Sequence, residues 1–376
     1  MQNRQFKKFE KEVSILGMGV MRLIRDAKGN VDEDAAVRLI RFAIDSGISY
    51  VDTAYTYHEG NSEKIVGKAL KEGYREKVTL ATKMPPWLCE NEEHMKEMFY
   101  EQMERLDTEY IDMYLVHSLT NDNWQRTKEL NILPFLEEMK AIGKIKHIGF
   151  SFHGSFTLFK EVIEAFPWEF CQIQLNYMDK NLQAGVKGLK YAAEKGLGVI
   201  IMEPLKGGRL AEFVPPTVQQ IFDGSQVKRP FAEWAFKWLA NMPEVTLVLS
   251  GMNSAAQIEE NVRIMSAEDL DVLSQEEKDM IDRASDEYNR LIKYSCTGCE
   301  YCMPCPQGLD IPAIIRYYND WHVYGNNPST KFEYVNWIDK GCHASDCVGC
   351  GTCEAKCPQS LSIIQAMKDV VCELGV

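Results

Sequence analysis

The sequence predicts an α/β protein, a closed (β/α)8 TIM barrel followed by a small, mostly α-helical domain rich in cysteine. Two observations predict the barrel. Short apolar runs alternate strictly with runs at helical spacing, and several apolar runs end on a single ionisable residue. A third observation predicts the second domain, because ten of the 12 cysteines lie between Cys296 and Cys372. We therefore expect residues 1–290 to form the barrel and residues 291–376 to form the cysteine-rich domain.

Eight strand-like runs alternate with helix-like runs along the first domain. We predict strands over residues 15–21, 50–52, 78–83, 111–117, 145–151, 170–177, 198–203 and 245–250. The predicted helices cover residues 34–46, 61–70, 92–106, 131–142, 156–166, 184–195, 255–264 and 274–292. Residues 6–12 are predicted to form a lid strand over the bottom of the barrel. A doubly wound open sheet is the alternative, but no G-x-G-x-x-G motif follows an early strand.

Three of the predicted strands end on one ionisable residue each. They are Asp52, Lys83 and His117, and Tyr57 lies in the polar loop after the first of these strands. Because parallel strands of a barrel bring their carboxyl ends to one rim, we expect the four side chains to meet there. A phenol has a pKa of about 10, which a nearby ammonium lowers, and a carboxylate holds that ammonium in place. Tyr57 could then protonate a carbonyl oxygen, oriented by His117, while a hydride arrives at the carbon.

The segments V-D-T-A-Y-T-Y, A-T-K-M-P and L-V-H-S resemble, in order and spacing, the catalytic tetrad of the aldo-keto reductases. The resemblance covers roughly residues 13–285 and implies an oxidoreductase that reduces an aldehyde or ketone, or oxidises the alcohol in reverse. Singly, each residue also has an ordinary interpretation, since Asp often caps a turn, Lys is usually solvated, and His is often a hydrogen-bonded core residue. The ordered set on successive strands favours catalysis.

The resemblance also implies where a nicotinamide would bind. Ser151, Gln174 and Asn176 stand at strand ends, where hydroxyl and amide groups would hold the carboxamide. Phe152 occupies a place where the family usually has Asn, and Met202 occupies one where an aromatic residue often stacks on the ring. These positions predict a nicotinamide site at the same rim as the tetrad.

Two further segments are predicted to hold the rest of the dinucleotide. The Gly-rich segment 203–209 is expected to cradle a pyrophosphate, with an ordinary turn as the alternative. Segment 250–261 resembles the adenosine site, in which NADPH-preferring members carry basic residues for the 2′-phosphate. Gly251 and Gln257 stand at those places and cannot pair with a phosphate, so NADH and NADPH both stay open. The predicted contacts of the two segments are Pro204, Leu205, Lys206, Gly207, Gly251, Gln257, Glu260 and Asn261.

The C-terminal cysteines form two tandem runs. The run from Cys347 reads C-x2-C-x2-C-x3-C-P, as in bacterial [4Fe–4S] ferredoxins, and the run from Cys296 has one residue fewer before its last Cys. In such pairs the last Cys of each run normally binds the other cluster. The assignment is therefore Cys296, Cys299, Cys302 and Cys357 to one cluster, and Cys347, Cys350, Cys353 and Cys305 to the other. The separation of the runs resembles α-helical ferredoxin domains. Zinc is the alternative, although a third Cys at this spacing is superfluous to a zinc knuckle.

Two cysteines of this domain stay without a partner. Cys342 and Cys372 are predicted to be structural, although Cys342 could replace a ligand if the shortened first run is strained. Disulfides are a weaker interpretation, since the spacing is not that of a secreted scaffold.

Composition excludes several classes of partner. The net charge of −13 argues against binding nucleic acid or an anionic membrane surface. No run approaches the roughly 18 apolar residues of a membrane span. The first residues have no apolar signal segment, so we expect a cytoplasmic protein. Residues 85–87, 118–124 and 213–227 are predicted to be loops that face a small-molecule carbonyl substrate.

The role of the clusters stays open at this point. Iron–sulfur clusters carry one electron at a time, whereas a nicotinamide delivers two as hydride. FMN would convert between the two, but the sequence has no dedicated flavin motif. The clusters could be structural, could sense oxygen, or could exchange electrons with a ferredoxin or another carrier. A non-catalytic redox or regulatory protein is the alternative to an enzyme, and the four coupled groups argue against it.

Overall fold

The computed structural model describes residues 1–26, 30–296, 302–326, 328–338, 341–357 and 360–375, apart from the side chain of Trp337. The chain divides into two compact units. The first comprises Met1–Leu210 and Pro230–Leu273, and the second comprises Ala211–Arg229 and Ser274–Val376. The predicted domain boundary near residue 290 stays a prediction. No helix in the described ranges combines the length and apolar character needed to cross a bilayer.

An antiparallel hairpin precedes the barrel, where the sequence predicted a lid strand. It consists of β1 (Asn3–Phe6) and β2 (Lys11–Ser14). Phe6 and Val13 are fully buried in one cluster with inward-facing barrel residues. Phe6 packs against Gly198 and Phe170, each of which is the first residue of its strand. The hairpin therefore closes the end of the barrel at which the strands begin.

Eight parallel strands close into the predicted barrel, each paired with the next along the chain and the last paired with the first. The closed circle leaves no free strand edge, and apolar runs buried on both faces are what such strands require. The strands are β3 (Leu16–Gly19), β4 (Tyr50–Asp52), β5 (Thr79–Met84), β6 (Ile111–Leu119), β7 (Ile145–Phe152), β8 (Phe170–Gln174), β9 (Gly198–Met202) and β10 (Val245–Ser250).

Helices alternate with the barrel strands along the chain, and several begin at side-chain caps. The side chains of Asp32, Asn91, Ser155 and Ser254 each accept a hydrogen bond from a backbone N–H of the first turn. The helices up to residue 265 are α1 (Glu33–Asp45), α2 (Asn61–Ala69), α3 (Glu92–Leu106), α4 (Asn121–Glu129), α5 (Ile132–Ala141), α6 (Phe156–Ala165), α7 (Gly185–Glu194), α8 (Pro216–Asp223), α9 (Phe231–Ala240) and α10 (Ala255–Met265).

Two of these helices correct the sequence-based prediction. The segment 213–227, predicted to be a loop, contains α8, which starts after Pro215 and packs on a later helix of the second unit. No helix or strand was predicted for the segment that forms α9, because most of its residues are buried and its sequence shows no clear polar face. Part of the predicted loop 118–124 likewise belongs to β6 and α4.

The regular elements that the structure describes in the second unit are all helices. Its long helix α11 (Gln275–Leu291) begins at a capping box formed by Ser274 and Glu277. Apolar side chains of the later helices form a separate buried core, which also contains Cys302 and Cys353. The later helices are α12 (Ile311–Val323), α13 (Pro328–Trp337), α14 (Thr352–Lys356) and α15 (Ile363–Leu374).

Candidate active site

Strand register places three of the predicted catalytic side chains on one interior face. Asp52 lies opposite Ala81, and Lys83 lies opposite Leu115. Because side chains alternate along a strand, Lys83 points to the same side as Ala81, and His117 to the same side as Leu115. Ala81 and Leu115 belong to the inner core of the barrel. The three ionisable groups therefore lie above that core, towards the ends of their strands.

The ammonium of Lys83 is at the centre of this group. Its Nζ donates to Asp52 Oδ1 at 2.5 Å, to the carbonyl oxygen of Thr53 at 2.7 Å, and to Tyr57 Oη at 3.4 Å. Lys83 and Asp52 are both buried. The second oxygen of Asp52 accepts from Gln172 Nε2 at 3.2 Å. Each buried charge thus has partners, without which burial would be strongly unfavourable.

The ionisation of this pair follows from its surroundings. Burial disfavours the charge on Lys83, but Asp52 and Tyr57 outweigh that effect and raise the pKa of the ammonium above its ordinary value. Burial raises the pKa of Asp52, and Lys83 and Gln172 act against that increase. Lys83 therefore stays cationic at neutral pH, with the carboxylate as its counter-ion.

Burial controls the acidity of Tyr57. Loss of solvent raises the pKa of its hydroxyl, the nearby Lys83 ammonium lowers it, and Asp52 and Glu203 raise it further, with a net increase. This net direction corrects the expectation that the ammonium leaves the phenol more acidic than usual. The effect of Lys83 itself has the expected sign, but burial outweighs it. Tyr57 is therefore protonated at neutral pH, which is the state that a proton donor requires.

His117 lies beside Tyr57 as a neutral imidazole. The two rings meet edge to face with centroids 5.9 Å apart, and the ring of Trp87 lies 5.2 Å from that of His117 on a tilted plane. Burial, followed by Lys83 and His153, holds the pKa of His117 well below its ordinary value. Its Nδ1 is buried and has no hydrogen-bond partner in the part of the chain that the structure describes. A neutral ring can donate one hydrogen bond to an incoming oxygen without carrying charge.

The residues predicted to hold a carboxamide fall into two places. Ser151 is buried next to the His117 strand, where its Oγ accepts from the backbone N–H of Ser118 at 2.7 Å. Gln174 and Asn176 lie further along, and both donate to Asp179 Oδ2, at 3.3 and 3.2 Å. Hydroxyl and amide groups are suitable partners for a carboxamide, which both donates and accepts.

Asp179 is a part of the site that the sequence analysis missed. Its Oδ2 accepts from Gln174, from Asn176 and from Lys206, whose Nζ lies 2.8 Å away. Asp179 and Lys206 form an ion pair, and both side chains are largely buried. Asp179 follows Asn176 by three residues, and an acidic residue so close to predicted binding residues was the available signal. The carboxylate ties the amide groups of β8 to the loop after β9.

The loop after β9, residues 203–209, has the backbone of a tight turn. Met202 is the last residue of β9 and pairs with Gln174. Glu203, Lys206 and Gly207 all have positive φ angles, of 55°, 49° and 66°. Pro204 is buried, and the carbonyl oxygen of Leu205 accepts from two later N–H groups of the turn. Residues with positive φ orient backbone N–H groups into concave arrangements that bind anions.

Arg22 lies against this loop and was also missed. Its guanidinium forms an ion pair with Glu203 at 3.3 Å. A Cβ atom on Gly207 would lie 3.0 Å from the guanidinium, and one on Gly251 would lie 3.4 Å from the Arg22 Cδ. Arg22 comes three residues after β3, so its position at the rim could have been inferred from the strand assignment. The predicted phosphate-binding loop therefore has two cations, Lys206 within it and Arg22 beside it.

The predicted adenosine segment includes the start of α10. Gln257 is in the first turn, where its side-chain oxygen accepts from the backbone N–H of Asn253 at 2.9 Å. Asn261 is buried and donates to Ser250 Oγ, at the end of β10, at 3.2 Å. Glu260 is exposed on the same helix, and Gly251 is exposed in the turn before it. The side chain of Arg22 lies nearest to Gly251, as described above.

Four cysteines line one cavity in the second unit. Its other walls are largely apolar and include Leu309, Ile363 and Met367. Its cysteines are Cys305, Cys347, Cys350 and Cys353, the four that the sequence analysis assigned to a single cluster. Across the described residues, no three or more His, Cys, Asp or Glu side chains converge tightly enough for one metal ion. The four thiols line one pocket, which is consistent with their assignment to a single cluster.

The other predicted cluster ligands are only partly described. Cys299 lies outside the described residues. Cys302 is buried in the helical core, and Cys296 and Cys357 are half-buried against it. Cys342 packs on the same core, and a Cβ on Gly308 would lie 3.6 Å from its Sγ.

Comparison with known proteins identifies both parts of the chain. The profile of the Aldo/keto reductase family matches residues 15–286. The chain belongs to the aldo/keto reductase family. A 4Fe-4S dicluster domain profile matches residues 295–362 of the same chain. This aldo/keto reductase therefore carries an additional iron–sulfur domain after its barrel.

Individual relatives agree with the barrel assignment. Aldo-keto reductase YhdN of Bacillus subtilis is 30% identical over 236 residues, which span 58% of this chain and 65% of that protein. The aldo-keto reductase AKR11C1 from Bacillus halodurans, in its holo form, is 27% identical with a TM-score of 0.63, over 76% of this chain and 96% of that chain. An aldo-keto reductase from Klebsiella pneumoniae in complex with NADPH shares the fold, with a TM-score of 0.60 at 23% identity over 75% and 95% of the two chains.

Proposed function

We propose that this aldo/keto reductase reduces an aldehyde or ketone with NADPH or NADH, using Tyr57 as the proton donor, and carries two [4Fe–4S] clusters. One observation carries the proposed reaction, namely the buried chain of hydrogen bonds from Asp52 through Lys83 to Tyr57. An ion pair with a purely structural role would not need the Tyr57 phenol beside it. The phenol also lies next to the His117 imidazole, whose Nδ1 has no hydrogen-bond partner among the described residues. The barrel rim is also where enzymes of this fold carry out chemistry.

Proton transfer is the step that these residues explain. The protonated phenol of Tyr57 donates to the carbonyl oxygen, and negative charge develops on the phenolate as it does so. The Nζ atom of Lys83 lies 3.4 Å from Tyr57 Oη, so the ammonium stabilises the negative charge on the phenolate and favours proton transfer. Asp52 keeps the ammonium in place. In alcohol oxidation the same phenolate would act as the base.

His117 would orient the carbonyl group. Because its pKa is depressed, the ring is neutral and donates a hydrogen bond without competing as an acid. The exposed ring of Trp87 lies over His117 and provides an apolar wall beside the reacting group. These contacts suit an organic carbonyl compound with an apolar portion next to the reacting carbon.

The residues present fit a nicotinamide dinucleotide. The bound nicotinamide supplies the hydride. Ser151, Gln174 and Asn176 would hold its carboxamide, because a hydroxyl and two amides offer both donors and acceptors. Lys206 and Arg22 would pair with the pyrophosphate, since Lys206 lies in a loop of positive-φ residues and Arg22 lies beside that loop. Glu260 and Asn261 would contact the adenine.

The choice between NADPH and NADH depends on the adenosine end. The Klebsiella relative was solved in complex with NADPH. Here Gly251 and Gln257 occupy the positions at which a basic residue would be expected, and the Gln257 oxygen is engaged by Asn253. Arg22 is the cation whose stem lies along Gly251. Both dinucleotides are therefore part of the proposal.

The cavity lined by Cys305, Cys347, Cys350 and Cys353 supports one of the two clusters. Thiolates are the ligands that iron–sulfur clusters use, and the bacterial ferredoxin spacing takes its fourth ligand from the other run. Cys296, Cys299, Cys302 and Cys357 would hold the second cluster.

A second role for the clusters is electron exchange with a ferredoxin or another one-electron carrier. The observation that favours it is the exposure of Cys350, which lines the cavity beside Val348, an apolar side chain that is 64% exposed. Electrons cross short distances most readily, so a surface cysteine ligand provides an entry point. This role requires a two-electron converter such as FMN, for which the sequence has no dedicated motif.

The test is an anaerobic assay of the purified protein with NADPH and NADH labelled with deuterium at the transferable position. We expect cofactor oxidation with organic aldehydes or ketones, and deuterium on the carbinol carbon of the product. Deuterium in water instead, with bleaching of the cluster absorbance, would contradict direct hydride transfer and support electron transfer. Absence of turnover with every carbonyl tested, despite tight cofactor binding, would support the non-catalytic alternative.

A further inference from the structure

The loop that carries Tyr57 has an unusual backbone. It joins β4 to α2, and three consecutive residues, His58, Glu59 and Gly60, have positive φ angles of 50°, 58° and 85°. Two of them have side chains, for which this region is disfavoured. Such a segment keeps its conformation only when surrounding groups hold it. The position of the Tyr57 hydroxyl therefore depends on contacts elsewhere in the loop.

Hydrogen bonds join the two ends of the loop. Thr53 Oγ1 and Ser62 Oγ lie 2.9 Å apart, and Ser62 Oγ also donates to the carbonyl oxygen of Val20 at 3.2 Å. Both hydroxyls are fully buried. The ends of the loop are thus attached to the barrel, while its middle needs a separate support.

Arg105, on α3, supplies that support. Its guanidinium donates to the carbonyl oxygen of Tyr55 at 3.4 Å and lies over the Tyr55 ring, 4.3 Å from the centroid. A Cβ on Gly60 would lie only 2.8 Å from Arg105 Nη1, so the loop backbone is in close contact with the guanidinium. Arg105 touches the loop on both sides of Tyr57.

Glu63 connects this arginine to the strand of Lys83. Its carboxylate is fully buried and accepts from Arg105 Nη1 at 3.2 Å. The same carboxylate accepts from Thr82 Oγ1 at 2.6 Å and from Gln102 Nε2 at 2.7 Å, and Gln102 also donates to the carbonyl oxygen of Lys83 at 3.1 Å. One buried carboxylate therefore holds both the support of the Tyr57 loop and the backbone at Lys83.

We propose that Arg105 is a positioning residue, which with Glu63 sets the separation between the Tyr57 hydroxyl and the Lys83 ammonium. The inference rests on the proposed function, in which Tyr57 is the proton donor. Arg105 touches neither substrate nor cofactor in this account. It acts by holding a strained loop so that the phenol stays within reach of the cation. The charged and titratable groups that face Tyr57 are Lys83, Asp52, Glu203 and His117.

The test compares two matched pairs of substitutions. Arg105→Met combined with Glu63→Gln removes the ion pair without leaving a buried charge. Arg75→Met combined with Asp112→Asn is the control, because Arg75 is as buried as Arg105 (14% against 13% exposed) but precedes β5 at the other end of the barrel. The Arg105 guanidinium also donates to Glu101 Oε1 at 2.6 Å. Arg105→Lys keeps the charge but lacks the planar fork that contacts Glu63, Glu101 and the Tyr55 carbonyl oxygen at once, and it serves if the double variant fails to fold.

We expect kcat to fall roughly 10- to 100-fold in the Arg105→Met/Glu63→Gln variant and less in Arg105→Lys. The dissociation constant for NADPH, measured by fluorescence titration, should stay within about twofold of the native value. The alkaline limb of the pH–rate profile for reduction should move to higher pH, because a phenol further from the ammonium loses its proton less readily. The control variant, Arg75→Met/Asp112→Asn, should lower Tm without changing kcat or the position of the alkaline limb.

A kcat and an alkaline limb like those of the control pair, in either Arg105 variant, would overturn the inference. Tyr57→Phe is measured alongside to separate the two claims. If Tyr57→Phe is inactive and the Arg105 variants behave like the control, only the positioning role fails. If Tyr57→Phe keeps full activity, the proton-donor assignment fails first.

Discussion

At the scale of single residues, desolvation decides the charge states around the rim. It raises the pKa of Tyr57 and lowers that of His117, so both are in their neutral forms near pH 7. Lys83 is the exception, because Asp52 and Tyr57 outweigh the effect of burial and keep it cationic. The site thus holds one cation beside a neutral acid and a neutral hydrogen-bond donor. This is a suitable arrangement for stabilising a developing phenolate.

The depressed pKa of His117 predicts a dependence of stability on pH. In the unfolded chain the imidazole binds a proton as the pH falls through about 6.5, whereas in the folded protein it stays neutral. The unfolded state therefore binds more protons, and stability that is present above pH 6.5 is lost as the pH falls. A fully buried group of this kind contributes a slope of about 1.4 kcal/mol per pH unit.

Urea denaturation at several pH values from 7.5 to 5 measures this slope. We expect His117→Gln to flatten the dependence of the free energy of unfolding on pH. An unchanged slope in His117→Gln would mean that His117 takes up its proton in the folded state.

At the scale of elements, the sequence located most strands and helices of the barrel from their alternation of apolar and polar residues, but not α8 or α9. The strands that carry Asp52, Lys83 and His117 could be located because an ionisable residue interrupts each apolar run, although β5 and β6 continue to Met84 and Leu119. Helix α9 could not, because it is buried on most sides and its sequence lacks a polar stripe. Asp179 and Arg22 were missed for another reason. Their partners Lys206 and Glu203 are 27 and 181 residues away, and only the folded rim brings them together.

The N-terminal hairpin yields a prediction about packing. Phe6 is fully buried at the bottom of the barrel, and a Cβ on Gly198 would lie 2.1 Å from its ring. Phe6→Ala should lower the free energy of unfolding by about 3–5 kcal/mol through the cavity it leaves. Gly198→Ala should also be destabilising in the native protein, because the new methyl group would overlap the Phe6 ring.

The two substitutions should compensate in a double-mutant cycle. Gly198→Ala should lower the free energy of unfolding much less in the Phe6→Ala protein than in the native protein, because the new methyl group then enters the cavity left by the ring. Chemical denaturation of the four proteins measures the coupling. Simple additivity would show that the ring and the glycine are not in contact.

At the scale of the whole chain, one polypeptide combines a barrel suited to two-electron hydride chemistry with a domain suited to one-electron carriers. Each compact unit has a separate buried core. The barrel's activity and the cluster content can therefore be measured as separate properties. The family profiles identify an aldo/keto reductase domain and an iron–sulfur domain. The number of clusters can be determined by measuring the iron content.

Iron content tests the two-cluster proposal. We expect about eight irons per chain in protein purified without oxygen. Cys350→Ser should remove roughly half of them, because Cys350 lines the described cavity. Cys372→Ser is the matched control, since Cys372 is also exposed but lies outside the lining of that cavity, and its substitution should leave the iron content unchanged. Four irons in the native protein, or an unaffected iron content in Cys350→Ser, would contradict the assignment.

The most direct test of the account is single-turnover reduction by Tyr57→Phe, loaded with NADPH and mixed with a carbonyl substrate of the native enzyme. Removing one hydroxyl leaves the Asp52–Lys83 ion pair and the dinucleotide contacts in place. We predict cofactor binding like that of the native protein and a loss of the reduction rate by at least about 100-fold, the scale of general-acid catalysis. A native reduction rate in Tyr57→Phe would show that the proton comes from another group.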